Sequence, residues 1–139
     1  MSKSHKPDPG QIWSLDYRLI MQVIRGVKAA LAALDLDPKE LFLLAELDAH
    51  PNPAALADAL TMPKPTVTVI VKRLEAAGFL KRAIDAADLR RHHLSLTPLG
   101  RKAMAKGLVL LSDAFGARLA RLTSGERSAL EAALAKMVD

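Results

Sequence analysis

"PAALADALTMPKPTVTVIVKRLEAAGFLKRAIDAADLRRHHLSLT", residues 53–97, changes its apolar period twice, and those changes decide the fold. Leu56 and Leu60 stand four apart, which gives a short helix one apolar edge before "TMPKP" stops it. Val67, Ile70 or Val71, and Leu74 then mark the inward face of a second helix over about 64–77, with Gly78 suited to a left-handed C-cap. Past Gly78 the period falls to two. Phe79 and Lys81 alternate with Leu80 and Arg82, and Leu94 and Leu96 with His93 and Ser95, as in half-buried strands. Two helices joined by a tight break and followed by a hairpin with a charged tip make a winged helix-turn-helix, its wing spanning about 79–97.

The second helix turns Thr66, Thr68, Val69, Lys72 and Arg73 outward. Hydroxyls bond base edges or phosphates, Val contacts a thymine methyl, and cations neutralise phosphates or read guanine, so this face suits a DNA major groove. A merely solvated helix face uses similar residues. The hairpin shifts the balance, because a basic tip beside a groove-reading helix reaches the neighbouring backbone or minor groove. Charge is concentrated here: residues 64–91 hold seven basic side chains (Lys64, Lys72, Arg73, Lys81, Arg82, Arg90, Arg91) against three acidic ones, whereas the first 50 hold six against seven.

Outside this lobe, assigned to 37–97, the chain reads as helix. Residues 1–11 are expected to form a polar, flexible arm. Over 12–36, Trp13, Tyr17, Ile20, Ile24, Val27, Leu31 and Leu34 alternate spacings of four and three, a heptad seam widened by Ile12, Leu15, Leu19, Val23 and Ala30. Such a stripe packs either on the chain's own core or, the reading preferred here, partly on a second copy. Asp37, Pro38 and Glu40 spell a capping box with proline at the first helical position, opening a helix through Leu41, Leu44 and Leu47 that "HPNP" ends. Thr97 and Pro98 open a long helix carrying Leu99, Ala103, Gly107 or Leu108, Leu111, Phe115, Leu119 and Leu122. Thr123 and Glu126 form a second capping box before Leu130, Leu134, Met137 and Val138. Residues 98–139 are therefore expected to join 12–36 in a dimerisation bundle, and the fold class is mainly α (α+β).

Composition narrows the function. The 139 residues allow one domain with helical extensions, and an aromatic content of 4% points to an aliphatic, helical core. A net charge of +5 leans toward an anionic partner. The absence of cysteine removes disulfides, thiol switches and thiolate metal sites, and suits a cytoplasmic protein. No apolar run reaches membrane-spanning length and no secretion signal precedes the first helix, so no membrane partner is expected.

The stretch from Leu56 to Arg101 resembles the MarR family of bacterial transcriptional regulators. Asp88, Arg90, Leu96, Thr97 and Gly100 match that family's wing signature, and Arg73, Leu74, Glu75 and Gly78 match the end of its recognition helix. The resemblance extends over about 12–139, because the family also has terminal helices that intertwine as a dimer. It implies a homodimeric regulator, a repressor in the family's commoner outcome, on a pseudo-palindromic double-stranded operator. Lys64, Thr66, Thr68, Val69, Lys72 and Arg73 would face the major groove, with Arg90, Arg91 and His92 beyond it on the wing. Asp88 would orient the wing by pairing with Arg73 or Arg90. Three features depart from the pattern: Pro63 and Pro65 flank Lys64 where a hydroxyl cap is usual, Leu89 replaces a polar wing residue, and the N-terminal arm is short.

The family also takes small amphipathic or aromatic effectors, for which Trp13, Tyr17, Met21, Phe42, Met104 and Phe115 are the candidate lining here, although residues of these types more often serve as core. Of His5, His50, His92 and His93, the adjacent pair would point to opposite strand faces, and no cysteine or acidic cluster completes a metal site. No cofactor is expected. Neither a nucleophile with its base nor a phosphate-binding loop occurs, so the chain is not read as an enzyme. The alternative function is a helical dimeric protein-interaction adaptor without specific DNA binding.

Overall fold

The computed structural model describes residues 6–84, 86–88 and 92–139. In order, the elements are α1 (Pro9–Ala32), α2 (Pro38–Glu46), α3 (Pro53–Leu60), α4 (Lys64–Ala76), β1 (Leu80–Ile84), β2 (His92–Leu96), α5 (Pro98–Leu119) and α6 (Ser124–Met137). This is the expected winged helix-turn-helix with helices before and after it. The chain divides into two compact units, one formed by residues up to Val27 with Leu111–Asp139, the other by Lys28–Leu110.

The Lys28–Leu110 unit is built on aliphatic burial. Leu31, Leu41, Leu43, Leu44, Leu47, Leu56, Val67, Val71, Leu74, Leu80 and Leu94 are fully enclosed. Each such side chain contributes about 1.5–3 kcal/mol by leaving water. The open choice at 70 or 71 resolves to Val71, with Ile70 half-buried. α2 starts where its capping box requires: the Asp37 carboxylate accepts from the Glu40 N–H at 2.8 Å and Glu40 accepts from the Asp37 N–H at 2.8 Å. Asn52 caps α3 by accepting from the Ala55 N–H at 2.8 Å, with Pro53 in the first turn. Just before it, the Pro51 carbonyl accepts from the Leu94 N–H at 2.7 Å, tying β2 to that loop.

The break between α3 and α4 turns on Thr61, which takes a left-handed conformation (φ 52°, ψ 49°). A β-branched residue there stores roughly 1–3 kcal/mol of strain, held by α3 packing on α4. Pro63 precedes α4 without any side-chain cap bond, and Pro65 lies in the first turn. Having no N–H, a proline in the first turn leaves one fewer donor to satisfy, so the helix starts at Lys64 without the usual hydroxyl. At the other end the Gly78 N–H reaches the Glu75 carbonyl and the Phe79 N–H the Leu74 carbonyl, at 3.0 and 2.9 Å. With Gly78 at φ 81°, this is the Schellman arrangement, and glycine is what its left-handed step favours.

β1 and β2 pair antiparallel, with Leu80 opposite Leu96, Arg82 opposite Leu94 and Ile84 opposite His92. The hairpin is buried at its base and emerges toward its tip: Leu80, Leu94 and Leu96 are enclosed, whereas Ala83 and Ile84 are exposed. Thr97 then closes the lobe. Its hydroxyl donates to the Gly78 carbonyl and accepts from the Gly100 N–H, while its own N–H reaches the Phe79 carbonyl at 3.1 Å. Along α5, Gly100, Ala103 and Gly107 are buried and Leu99 and Leu108 exposed, so Ala103 faces the core as expected, the choice at 107 or 108 resolves to Gly107, and Leu99 does not face it.

In the other unit, Val23 and Val27 are buried, and Arg118 donates to Gln22 at 2.8 Å. α1 begins at Pro9, inside the stretch expected to be an arm. The Asp8 side chain accepts from the Gly10 and Gln11 N–H groups, and this cap starts the helix earlier than its apolar pattern does. The capping box of α6 is formed as read, Thr123 accepting from the Glu126 N–H and Glu126 from the Thr123 N–H. Ile12, Trp13, Leu15, Tyr17, Ile20, Met21, Leu134, Met137 and Val138 remain exposed in the monomer.

Candidate nucleic-acid interface

Burying Val67, Val71 and Leu74 sets which face of α4 is inward, and Thr68, Val69 and Lys72 between them are turned to solvent. Lys64, Thr68, Val69 and Lys72 are exposed, and Thr66 is half-buried. Val69 is 67% exposed, an unusual placement for a β-branched apolar residue without a partner. The Thr68 hydroxyl donates to the Lys64 carbonyl at 3.0 Å, which leaves its oxygen lone pairs turned outward as acceptors. Four neighbouring side chains thus present two cations, a hydroxyl and a methyl-bearing surface on one exposed face.

Arg73 is half-buried and paired. Rather than standing free on that face, its Nη2 donates to the Asp35 carbonyl and carboxylate at 2.7 and 2.8 Å, and its Nε lies 3.0 Å from Glu40 Oε2. Arg73 is therefore held by the segment joining α1 to α2, and not by Asp88 as one alternative had it. Asp35 adopts φ 59°, which directs its carbonyl and its carboxylate to the same guanidinium. The Glu40 side chain is only 6% exposed. Burial pushes its carboxyl above the ordinary carboxylate range, against the opposing pull of the Asp37 N–H and of Arg73. Ala32, Leu36, Val69 and Ile70 complete the walls of a recess of about 400 Å³ around this cluster.

The wing stands next to α4 in the same unit, β1 packing on that helix. Lys81 and His93 are exposed, and Arg82 and His92 half-buried. Arg82 Nε sits 3.6 Å from Glu75 Oε2, and both it and His92 Nδ1 are buried without a hydrogen-bond partner among the described residues. The two histidines do take opposite faces, and the better exposed ring is His93, not the His92 singled out from the sequence. Strand alternation carried that signal, as it did for Lys81. Asp88 is exposed; Arg90 and Arg91, the expected groove probes, lie outside the described residues, as does His5.

None of the six residues considered for an effector lines either of two recesses in the Lys28–Leu110 unit, the second of which is formed by Leu34, Ala105, Lys106, Val109 and Leu110. Trp13 and Tyr17 stack loosely with ring centres 6.3 Å apart and are 68% and 53% exposed, Met21 is also exposed, and Phe42, Met104 and Phe115 are half-buried. Among the described residues no group of histidines and carboxylates could hold a metal ion, and no helix is long and apolar enough to cross a membrane.

Comparison with known proteins gives this arrangement a context. A sequence profile described as the MarR family matches residues 34–91, the span from the Arg73-binding junction to the wing tip. "Transcriptional regulator HosA" of Escherichia coli is 31% identical over 85 residues, which amount to 61% of this chain and 63% of that relative. Apo MarR from E. coli is 21% identical and superposes with a TM-score of 0.80 over 97% of this chain and all of that one, a likeness of fold. "Transcriptional repressor, CouR, bound to a 23-mer DNA duplex" is 26% identical, with a TM-score of 0.76 over 96% of this chain and 99% of that one.

Proposed function

The chain belongs to the MarR family, and on that premise we propose that it is a cytoplasmic homodimer that regulates transcription by binding a specific duplex. The observation that carries this reading is the exposed face of α4, Lys64, Thr68, Val69 and Lys72, beside a hairpin of the same unit. Phosphate contacts from Lys64 and Lys72 would set position, while Val69 and the Thr66 and Thr68 hydroxyls would read base edges in the major groove. Arg90 and Arg91, which follow Asp88 at the end of the hairpin, would enter the adjoining minor groove, where narrow width concentrates negative potential. Two such surfaces in a symmetric pair fit half-sites roughly 10 bp apart.

The second copy is supported by what α1 and α6 leave uncovered. Ile12, Trp13, Leu15, Tyr17, Ile20 and Met21 are too many exposed apolar side chains for one helix of a lone monomer. Occupying promoter DNA and blocking polymerase would make the dimer a repressor, and a small amphipathic or aromatic effector would release it by altering the spacing of its two reading helices.

Selection of bound fragments from a random duplex pool, followed by gel shift at moderate salt, tests the proposal. A recovered motif with two related halves and saturable binding is the expected result. Binding that is equal on all fragments, or absent, would favour the adaptor reading, in which the same apolar helices serve only protein contacts.

A further inference from the structure

We propose that Arg73 acts in DNA recognition as a positioning residue: it clamps the reading helix to the α1–α2 junction and does not itself touch DNA. The inference rests on the reading of α4 as the DNA-binding helix. Its ground is geometric. Arg73 stands one residue after Lys72, on the helix that presents Val69 and Thr68, and its guanidinium is taken up by three acceptors from a segment more than 30 residues earlier. Two of those acceptors belong to Asp35, whose left-handed backbone brings carbonyl and carboxylate together; the third is the buried carboxylate of Glu40.

Glu40 is doubly constrained, because its other oxygen holds the Asp37 N–H in the capping box that starts α2. A guanidinium gripped by the buried carboxylate of Glu40 and by the carbonyl and exposed carboxylate of Asp35 has little freedom to rotate toward a phosphate without leaving Glu40 buried and without its cation, which is costly. The buried row of Val67, Val71 and Leu74 sets which face of α4 is inward but resists small axial rotations weakly, since aliphatic contacts are not directional. The Arg73 fork supplies the direction. A helix that swings by a few degrees moves Val69 and Thr68 out of register with base edges, whereas Lys64 and Lys72 keep phosphates in reach. The clamp is thereby a determinant of specificity more than of attraction.

Arg73→Lys separates the two roles. Lysine retains the charge and would keep most of a phosphate contact, but it lacks the fork that reaches Asp35 and Glu40 together. Asp35→Asn is the second variant; asparagine tolerates the left-handed backbone and loses only the carboxylate. With thermal melts confirming folded protein, each variant is expected to lose roughly tenfold in affinity for the selected duplex. Their log-log salt slopes should stay unchanged, and the double variant should be no worse than the poorer single one.

Hydrogen exchange on free protein supplies a readout independent of DNA. Faster exchange across residues 35–40 and 64–76 in both variants is expected. The clamp is overturned if Arg73→Lys binds like the unaltered chain while Arg73→Ala lowers the salt slope by about one, since that is a phosphate contact. Additive losses in the double variant, or unchanged exchange and affinity in both singles, overturn it equally. If the unaltered chain selects no duplex at all, the DNA reading fails on its own, and exchange alone decides the clamp.

Discussion

Gly100 lies so close to Phe79 that a Cβ built on it would sit 1.7 Å from the Phe79 carbonyl oxygen. The first turn of α5 thus rests directly on the backbone that leaves α4 for the wing, and that same carbonyl accepts from the Thr97 N–H. Backbone cannot yield as a side-chain tip can. Gly100→Ala should cost about 3 kcal/mol or more, seen as an earlier urea midpoint at unchanged slope. A variant as stable as the parent would show that the two segments do not meet.

The two capping boxes should titrate in opposite directions. Burial raises the Glu40 carboxyl, whereas Glu126, in the open, is lowered by the Thr123 N–H and hydroxyl. For Glu40 the folded pKa exceeds the unfolded one, so its contribution is fully present below 4.5 and is lost as pH rises through the raised folded value. For Glu126 the sign reverses, and its contribution is present above 4.5 and lost as pH falls through the depressed value. Side-chain carboxyl NMR should find Glu40 titrating above the ordinary range and Glu126 below it, with Thr123→Ala raising Glu126 only in part, because the backbone N–H at 123, the larger cause, remains. Matching titration curves would contradict the difference in burial.

On the proposed DNA face, Lys72→Ala should lower the log-log salt slope by about one and weaken all duplexes alike. Arg90→Ala should do the same for the wing. Val69→Ala should instead redistribute base preference at one position of each half-site while leaving the slope intact. Fluorescence anisotropy across a salt series on matched and mismatched duplexes distinguishes these, and a Val69 variant with unaltered preference would remove that side chain from base reading.

The exposed start of α1 makes the oligomer testable. Ile20→Glu with Tyr17→Glu should shift the protein toward monomer in sedimentation velocity while preserving helix content. Because the Lys28–Leu110 unit has its own core, its melting cooperativity should survive. A chain that is monomeric before substitution would sink the dimer proposal.

Much of this structure could be read from residue order alone. Alternation at 79–82 and 93–96 located the wing, and Gly78 located the end of α4, because each signal is local and depends on two or three neighbours. The polar identity of the exposed α4 face followed from the helical period. The partners of Arg73 were not legible for the opposite reason: Asp35 and Glu40 lie far away in sequence, and nothing near residue 73 marks them. Strand alternation also put His92 on the face of buried Leu94 and Leu96 and His93 on the opposite one.

Asp37-Pro38-Lys39-Glu40 and Thr123-Ser124-Gly125-Glu126 show where residue order stops and folding takes over. By itself the sequence determined that both would start helices, since a capping box is closed by atoms three residues apart. Only tertiary structure decided that one glutamate would be sealed beneath Arg73 with its proton held more tightly, and the other left in water with its proton held less. Hydrogen bonds within a turn are written into the chain, but the solvent and the distant charges around them arrive only with packing.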